Sequence, residues 1–388
     1  MAFYKFSADQ LFDGYTLHQD RPVLVVTDDG IVMDIVKTED AGDDVQYFEG
    51  ILSPGFINCH CHLELSHMRG VIPRQTGLIQ FVTQVMKERH VSQEQILSAI
   101  SDAEDEMWET GIVAVGDICN NKLTLDQKKK GRIWYHNFIE TSGFLPESAE
   151  FRFKMALDVY NAFAPYYNTP IASNSIVPHA PYSVSEALWR RIMAFPGNQL
   201  MTFHNQETPD ENELFRDKSG GFPGFFEGMK ADISFFNPPG KSSLQACLPY
   251  FLPNQQLILV HNVFTDRNDL DYCDEAQYMD QLSWCLCPNA NLYISDKLPN
   301  IELLTDYDCE IVLGTDSLAS NRQLSIVSEM KTVLEHFPFV KKEKILRWAT
   351  LNGAKALQMD HLLGSFEKGK KPGIVWCDMT FTESKRLL

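Results

Sequence analysis

The sequence predicts an α/β fold, a (β/α)8 barrel with a small β-sandwich domain formed from both chain ends. Three observations predict it. Apolar strand-like runs alternate with helical spacing about eight times over roughly 300 residues, which suits a closed barrel better than an open doubly wound sheet. Both chain ends are rich in strand-like segments. Several strand-like runs end in a histidine or a carboxylate, and the C-terminal rim of such a barrel is where active sites are built. The expected domains are residues 1–53 with 361–388 for the sandwich and residues 54–360 for the barrel.

Val23–Thr27 and Ile31–Val36 read as strands joined by the turn Asp28-Asp29-Gly30. Ile51–His62 is an apolar strand interrupted at Pro54 and Gly55. Leu78–Arg89 has helical spacing, with Leu78, Phe81, Val82 and Val85 on one face, and Gln93–Glu109 is a second helix stopped by Gly111. Ile112–Ile118 and Ile133–Ile139 follow as strands, Ser148–Phe163 as a helix and Ile171–Pro178 as a strand. Ser185–Ala194 is a helix and Gln199–His204 a strand. Further strands are expected at Gln256–Asn262, Ser283–Cys287 and Glu310–Gly314, helices at Leu324–Phe337 and Lys341–Leu357, and an extended tail at Leu363–Asp378. Phe222–Lys241, rich in Gly, Pro and Phe, reads as a loop, either a lid or a plain connection.

Composition narrows the function. The 388 residues carry 34 Lys+Arg against 52 Asp+Glu, a net charge of −18. No excess of cations exists to displace counterions from phosphates, so nucleic-acid and anionic-membrane partners are not expected. No run reaches the roughly 18 apolar residues of a membrane span. The start, MAFYKFSADQLFDG, lacks a basic segment followed by an apolar one, which predicts a cytoplasmic protein. Nine cysteines, an odd number on a long chain, read as reduced thiols.

The chemistry concentrates at strand ends. In Ile57-Asn58-Cys59-His60-Cys61-His62, alternate side chains share a face, so His60 and His62 point the same way roughly 7 Å apart along the strand. Two imidazoles on one face suit zinc or iron. His179 follows Ile176-Val177-Pro178, and His204 ends Leu200-Met201-Thr202-Phe203, with Glu207 three residues later. His261 ends Leu257-Ile258-Leu259-Val260, and Asp316 follows Glu310–Thr315. Five strands thus deliver metal-capable or acid/base groups to one rim. Cys59 and Cys61 face away from the histidines, and Cys285 and Cys287 lie in an apolar strand; all four read as buried thiols. His67 reads as a loop histidine, and Arg69 and Arg74 as surface cations.

These motifs resemble the amidohydrolase superfamily. Pro54-Gly55-Phe56-Ile57-Asn58-Cys59-His60-Cys61-His62 is similar to its first metal motif. His204-Asn205-Gln206-Glu207, His261-Asn262 and Leu313-Gly314-Thr315-Asp316-Ser317 are similar to its later ones, in order. His179-Ala180-Pro181-Tyr182-Ser183 resembles a motif of the aromatic deaminases of the cytosine, guanine and S-adenosylhomocysteine type, and Leu63-Glu64-Leu65-Ser66 resembles the aminodeoxyfutalosine deaminases. The tail Gly369-Lys370-Lys371-Pro372-Gly373-Ile374-Val375 departs from the family's usual Ala-Asp-Leu-Val.

The resemblance implies a mononuclear divalent site, zinc first and iron second, held by His60, His62, His204 and Asp316. It implies a deaminase that releases ammonia from an aminated purine- or pyrimidine-like ring or nucleoside by attack of a metal-bound hydroxide. Asp316 would take the water's proton, Glu207 would shuttle it to a ring nitrogen and the leaving ammonia, and His261 would orient the nucleophile. His179 and Glu64 would contact the substrate, Glu64 through ribose hydroxyls. A hydrolase of cyclic amides or halogenated rings is the alternative within the superfamily, and a non-catalytic ligand-binding barrel the alternative outside it. Related barrels often pair, so a homodimer is compatible with the resemblance.

Overall fold

The computed structural model describes residues 3–167 and 173–388. Its fifteen strands are β1 (Phe3–Phe12), β2 (Leu17–His18), β3 (Val23–Thr27), β4 (Val32–Val36), β5 (Val45–Pro54), β6 (Phe56–Cys61), β7 (Ile112–Cys119), β8 (Trp134–Thr141), β9 (Asn174–Pro178), β10 (Leu200–Asn205), β11 (Gln256–His261), β12 (Leu282–Leu286), β13 (Glu310–Leu313), β14 (Ile374–Cys377) and β15 (Ser384–Arg386). Ile171 and Ala172, the first part of one expected strand, lie outside the described residues.

Both ends of the chain meet in one seven-stranded sheet, ordered β15-β14-β5-β1-β3-β4 with β2 paired to β1. The expected two-layer sandwich is represented by this single continuous sheet. It packs on its own cluster of Phe6, Ala8, Leu24, Val26, Val32, Leu52, Phe366 and Ile374. The run read as one interrupted strand, Ile51–His62, is two strands that belong to different sheets. Gly55 is the joint between them. A Cβ there would lie 2.2 Å from Val113 Cγ1 and 2.6 Å from the Pro372 carbonyl, so only glycine fits the crossing.

The barrel strands form two parallel runs, β6-β7-β8-β9 and β10-β11-β12-β13. Nearly every residue in them is buried, as expected of parallel strands covered on both faces. Sparse hydrogen bonds bridge the seams between the runs. His204 N–H donates to the His179 carbonyl (2.9 Å) between β9 and β10. Thr315 and Asp316 N–H donate to the His60 carbonyl (3.0 and 3.1 Å) between β13 and β6, where Cys61 and Asp316 form a parallel bridge.

Helices Leu78–Glu88, Gln93–Glu109, Ala149–Phe163, Glu186–Met193 and Ile326–His336 agree closely with the sequence reading. Ser92 caps the second of these with a reciprocal Gln95 box. The expected helix Lys341–Leu357 is Lys342–Arg347 and Gly353–Ala356 joined by a π-helical turn at Trp348–Asn352. That wider turn seats Gly353 against Ile57, where a Cβ would come within 2.7 Å of the Ile57 Cβ. The stretch read as a loop, Phe222–Lys241, begins with a helix at Phe222–Gly228. The extended tail Leu363–Asp378 contains a strand only at β14. Among the described residues no helix is long and apolar enough to cross a membrane.

Candidate metal centre and active site

The expected site residues converge on one rim. β6 ends at Cys61, so His60 lies on the strand and His62 is the first residue past it, at φ −118° and ψ 76°. Ile57 and Cys59, one face of β6, pack on Gly353. His62 Nε2 lies 3.2 Å from His60 Nε2 and 3.2 Å from His204 Nε2. Asp316 Oδ1 lies 3.5 Å from His60 Nε2 and 3.4 Å from His62 Nε2. All four side chains are buried.

This donor set fits a metal ion. Ligands about 2.0–2.1 Å from a tetrahedral ion stand roughly 3.3 Å apart, the spacing seen here. Burial pushes His60, His62 and His204 well below the ordinary imidazole range or lower than usual, which keeps them neutral and able to ligate. His204 Nδ1 donates to the His179 carbonyl (2.8 Å), so its proton sits there and Nε2 is left as the ligand. Burial alone would raise the Asp316 carboxyl; the imidazoles of His62 and His261 and the Ser320 hydroxyl (2.5 Å) outweigh it and hold the group ionised. Glu140, His179 and His204 also lie within ligand distance of one another. His204 Nδ1 is already committed to a carbonyl, so the second group does not offer a second full ion site.

Local backbone geometry aims these groups. His261 (φ 75°), Asn262 (60°), Asp316 (57°) and Gln206 (48°) adopt left-handed conformations, which for side-chain-bearing residues cost about 1–3 kcal/mol each and mark functional rims. Asn262 braces its turn by donating to the Leu259 carbonyl (2.8 Å) and accepting from Asn205 (3.0 Å). The Asn291 amide donates to His261 Nδ1 (3.0 Å), leaving the His261 proton on Nε2, 3.5 Å from Glu207 Oε2.

Glu207 is buried, and burial together with the Asp316 and Glu211 carboxylates pushes its pKa well above the usual range. Its Oε1 has no hydrogen-bond partner. The residue is held by Gln206, whose side chain donates to Asp269 Oδ2 (2.7 Å) and accepts from Thr265 Oγ1 (2.6 Å). The Gln206 N–H donates to Glu211 Oε1 (2.9 Å), at the start of helix Pro209–Asp217.

Glu211 itself is raised to about 7, chiefly by burial, against the bonds from Ser243 and Gln206. A carboxyl whose folded pKa exceeds its unfolded value near 4.3 gives stability that is fully present below that value and lost as pH rises through 7. Replacing Glu211 by Gln is therefore expected to raise Tm relative to the natural chain at pH 8 but not at pH 4. The relief is up to about 4 kcal/mol. Thermal unfolding of both chains across that window checks it; a pH-independent offset would refute the ionisation account.

A cavity of 420 Å³ opens onto this rim, reached by His62, His179, His204, Glu207, His261 and Asp316. His179 is half-buried, bonded through Nδ1 to Ser183 Oγ (2.7 Å), and burial lowers it to about 4. Glu64 is buried in the cavity wall. The apolar wall comes from helix Leu78–Glu88 and from Phe225, Phe226 and Met229. Of the set-aside residues, His67 bonds the Arg89 carbonyl (3.0 Å), Arg69 pairs with Glu106, and Arg74 lies over the Tyr293 ring.

Sequence reasoning missed Asn120, Glu140, Asn291 and the buried pair Lys128–Asp117 (2.5 Å). Asp117 Oδ1 accepts from Leu63 N–H (2.9 Å) and so fixes the turn that follows His62. Asn120 and Glu140 follow the apolar runs of β7 and β8, the same signal that marked the histidines.

A buried three-histidine, one-aspartate cluster at the C-terminal rim of a parallel α/β barrel is the arrangement of a metal-dependent hydrolase. The amidohydrolase family model matches residues 51–386, and the chain belongs to that family. A 5-methylthioadenosine/S-adenosylhomocysteine deaminase of Pyrococcus horikoshii is 25% identical over 360 residues, covering 88% of this chain and 78% of the relative. An adenosine deaminase of Helicobacter pylori is 24% identical over 366 residues, covering 89% and 86%. The crystal structure of Helicobacter pylori aminofutalosine deaminase in complex with methylthio-coformycin shares the fold at TM-score 0.82 and 22% identity, over 96% of this chain and 91% of that one. An adenosine deaminase from Xanthomonas campestris with bound Zn shares it at TM-score 0.74 and 22% identity, over 97% and 85%.

Proposed function

We propose that this enzyme is a zinc-dependent aminohydrolase that releases ammonia from the aminated ring of an adenosine-type nucleoside. The observation that carries the reading is Glu207: a buried carboxyl whose ionised form burial disfavours, with one oxygen unpartnered, beside His261 and the four-residue cluster. Hydrolysis of an aminated heterocycle needs an acid there to protonate a ring nitrogen and then the departing amine. The names of the relatives support this choice over a cyclic-amide or halogenated-ring hydrolase and over a non-catalytic barrel.

His60, His62, His204 and Asp316 would hold the ion, which supplies Lewis acidity and an activated water. Asp316, ionised, would accept the water's first proton and pass it to Glu207; Glu207 would give one proton to the ring nitrogen and one to the departing amine, and recover its own from the water's second hydrogen. His261, oriented by Asn291, donates from Nε2 toward the reacting oxygen. His179 and Glu64 contact the substrate. The apolar wall of the cavity suits a nucleoside with an apolar 5′ substituent, as in 5′-methylthioadenosine. Residues 54–360 form the catalytic barrel and residues 1–53 with 361–388 the small domain. The enzyme works in the cytoplasm on a small molecule, with no nucleic acid or membrane partner, and a homodimer is compatible with this reading.

An ammonia-release screen over adenosine, 5′-methylthioadenosine, S-adenosylhomocysteine, guanine and cytosine tests the proposal. The nucleosides are expected to exceed the free bases in kcat/KM by at least about 100-fold. Turnover confined to guanine or cytosine would overturn it.

A further inference from the structure

Glu329, on helix Ile326–His336, lies outside the cavity and is fully buried. Two supports of the site end on its carboxyl. Oε2 accepts from the Asn289 N–H (2.9 Å) and Oε1 from Asn321 Nδ2 (2.8 Å). The Asn321 amide spends its other proton on the Thr315 carbonyl (2.9 Å). That carbonyl belongs to the peptide that leads into Asp316, whose N–H donates to the His60 carbonyl (3.1 Å). The peptide is thus pinned at both ends, just before Asp316 takes its left-handed turn at φ 57°.

The other arm runs to His261. Asn289 stands in the first turn of helix Pro288–Ile294, which has no side-chain cap at Cys287, so its N–H needs an outside acceptor. Ser328 and Thr332 grip the Asn289 side chain as well (3.1 and 2.6 Å). Two residues further on, Asn291 donates to His261 Nδ1. A carboxyl buried among uncharged donors is costly to keep. Its shape explains why it is kept. Glutamine would fill the same space but would turn an amide NH2 toward one of the two donors, and an apolar side chain would leave both unpaired. Only a carboxyl accepts from both at once.

We infer that Glu329 is a positioning residue: it ties the peptide that turns Asp316 toward the cluster to the helix that orients His261, and so sets these two groups relative to each other. The inference rests on the deaminase reading and deepens it, because it adds a determinant of rate that touches neither the ion's ligands nor the cavity.

The test takes Glu329→Gln and measures ammonia release per bound zinc. It also records, without substrate, the visible absorption of the cobalt(II)-loaded protein, whose bands report the geometry of the ligand set. The variant is expected to lose about 10- to 100-fold in kcat per bound zinc, with KM within about threefold and the cobalt bands shifted. Asn321→Ala, which cuts the arm to Asp316, is expected to shift the bands too. Asn291→Ala, which cuts the arm to His261, is expected to leave them in place, and each to lose part of the rate. With both arms cut, adding Glu329→Gln is expected to cost less than about threefold more. Its full loss in that background would overturn the inference. So would a lower Tm with kcat and cobalt bands unchanged, or a rate loss accounted for by zinc content alone. If Glu329→Gln does not fold, the two asparagine variants carry the test, and an unchanged rate in both would overturn it. A natural chain that binds cobalt but releases no ammonia from any nucleoside would sink the deaminase reading, while the cobalt bands of Glu329→Gln and Asn321→Ala would still decide the positioning.

Discussion

Glu207→Gln is expected to lower kcat for ammonia release by about 10³-fold, with metal content and Tm close to those of the natural chain. The amide keeps the size and one acceptor of the carboxyl but cannot exchange a proton at neutral pH. Burial and the Asp316 and Glu211 carboxylates disfavour its ionised form in the folded protein. The exchange therefore removes a proton carrier while keeping a neutral side chain of the same shape in a site that favours one, which is why stability should hardly move. Steady-state ammonia release, with metal analysis on the same preparation, reads the outcome. Turnover within about tenfold of the natural rate would show that the proton takes another path.

Stripping the ion with a chelator is expected to abolish turnover and to lower Tm by about 5 °C, both restored by added zinc. The shift follows from linkage: an ion present at about 100 times its Kd adds about 2.7 kcal/mol to folding, and a chain of this size responds by about 2 °C per kcal/mol. His60, His62 and His204 are held neutral by burial, with Nε2 atoms 3.2 Å apart across His62, so nitrogen lone pairs crowd together unless a cation lies between them. Elemental analysis should give about one ion per chain for this single four-ligand set. A Tm and a rate that ignore chelation would refute the assignment of the cluster.

Most of the barrel was legible because its strands are buried on both faces and read as unbroken apolar runs, such as Ile112–Cys119 and Leu200–Asn205. The metal-capable residues were legible because each follows such a run. Short polar helices were harder. Arg267–Glu275, Pro288–Ile294 and Ile301–Asp306 are too brief for a periodicity to emerge, although Asp266 with Asp269 and Asn300 mark two of their starts. β15, the tripeptide Ser-Lys-Arg, has no apolar signal at all. Val82 and Val85 share one helix face with Leu78 and Phe81, as the spacing predicts; in the structure they are only partly buried and line the cavity. A ligand-facing stripe and a core-facing stripe have the same spacing. The network that holds Glu207, through Gln206, Asp269 and Thr265, joins residues far apart in the chain and leaves no local pattern to find.

The seams of the barrel give the metal cluster a second meaning. His60 and His62 come from the first four-stranded run, while His204 and Asp316 belong to the second. A bound ion would therefore act as a topological clasp. It would tie together segments 142 positions apart at His62 and His204, at the two places where regular strand pairing gives way to a few hydrogen bonds. Closing so long a loop costs entropy that grows only logarithmically with its length, so one ion can hold two half-barrels in register as readily as it could hold neighbouring turns.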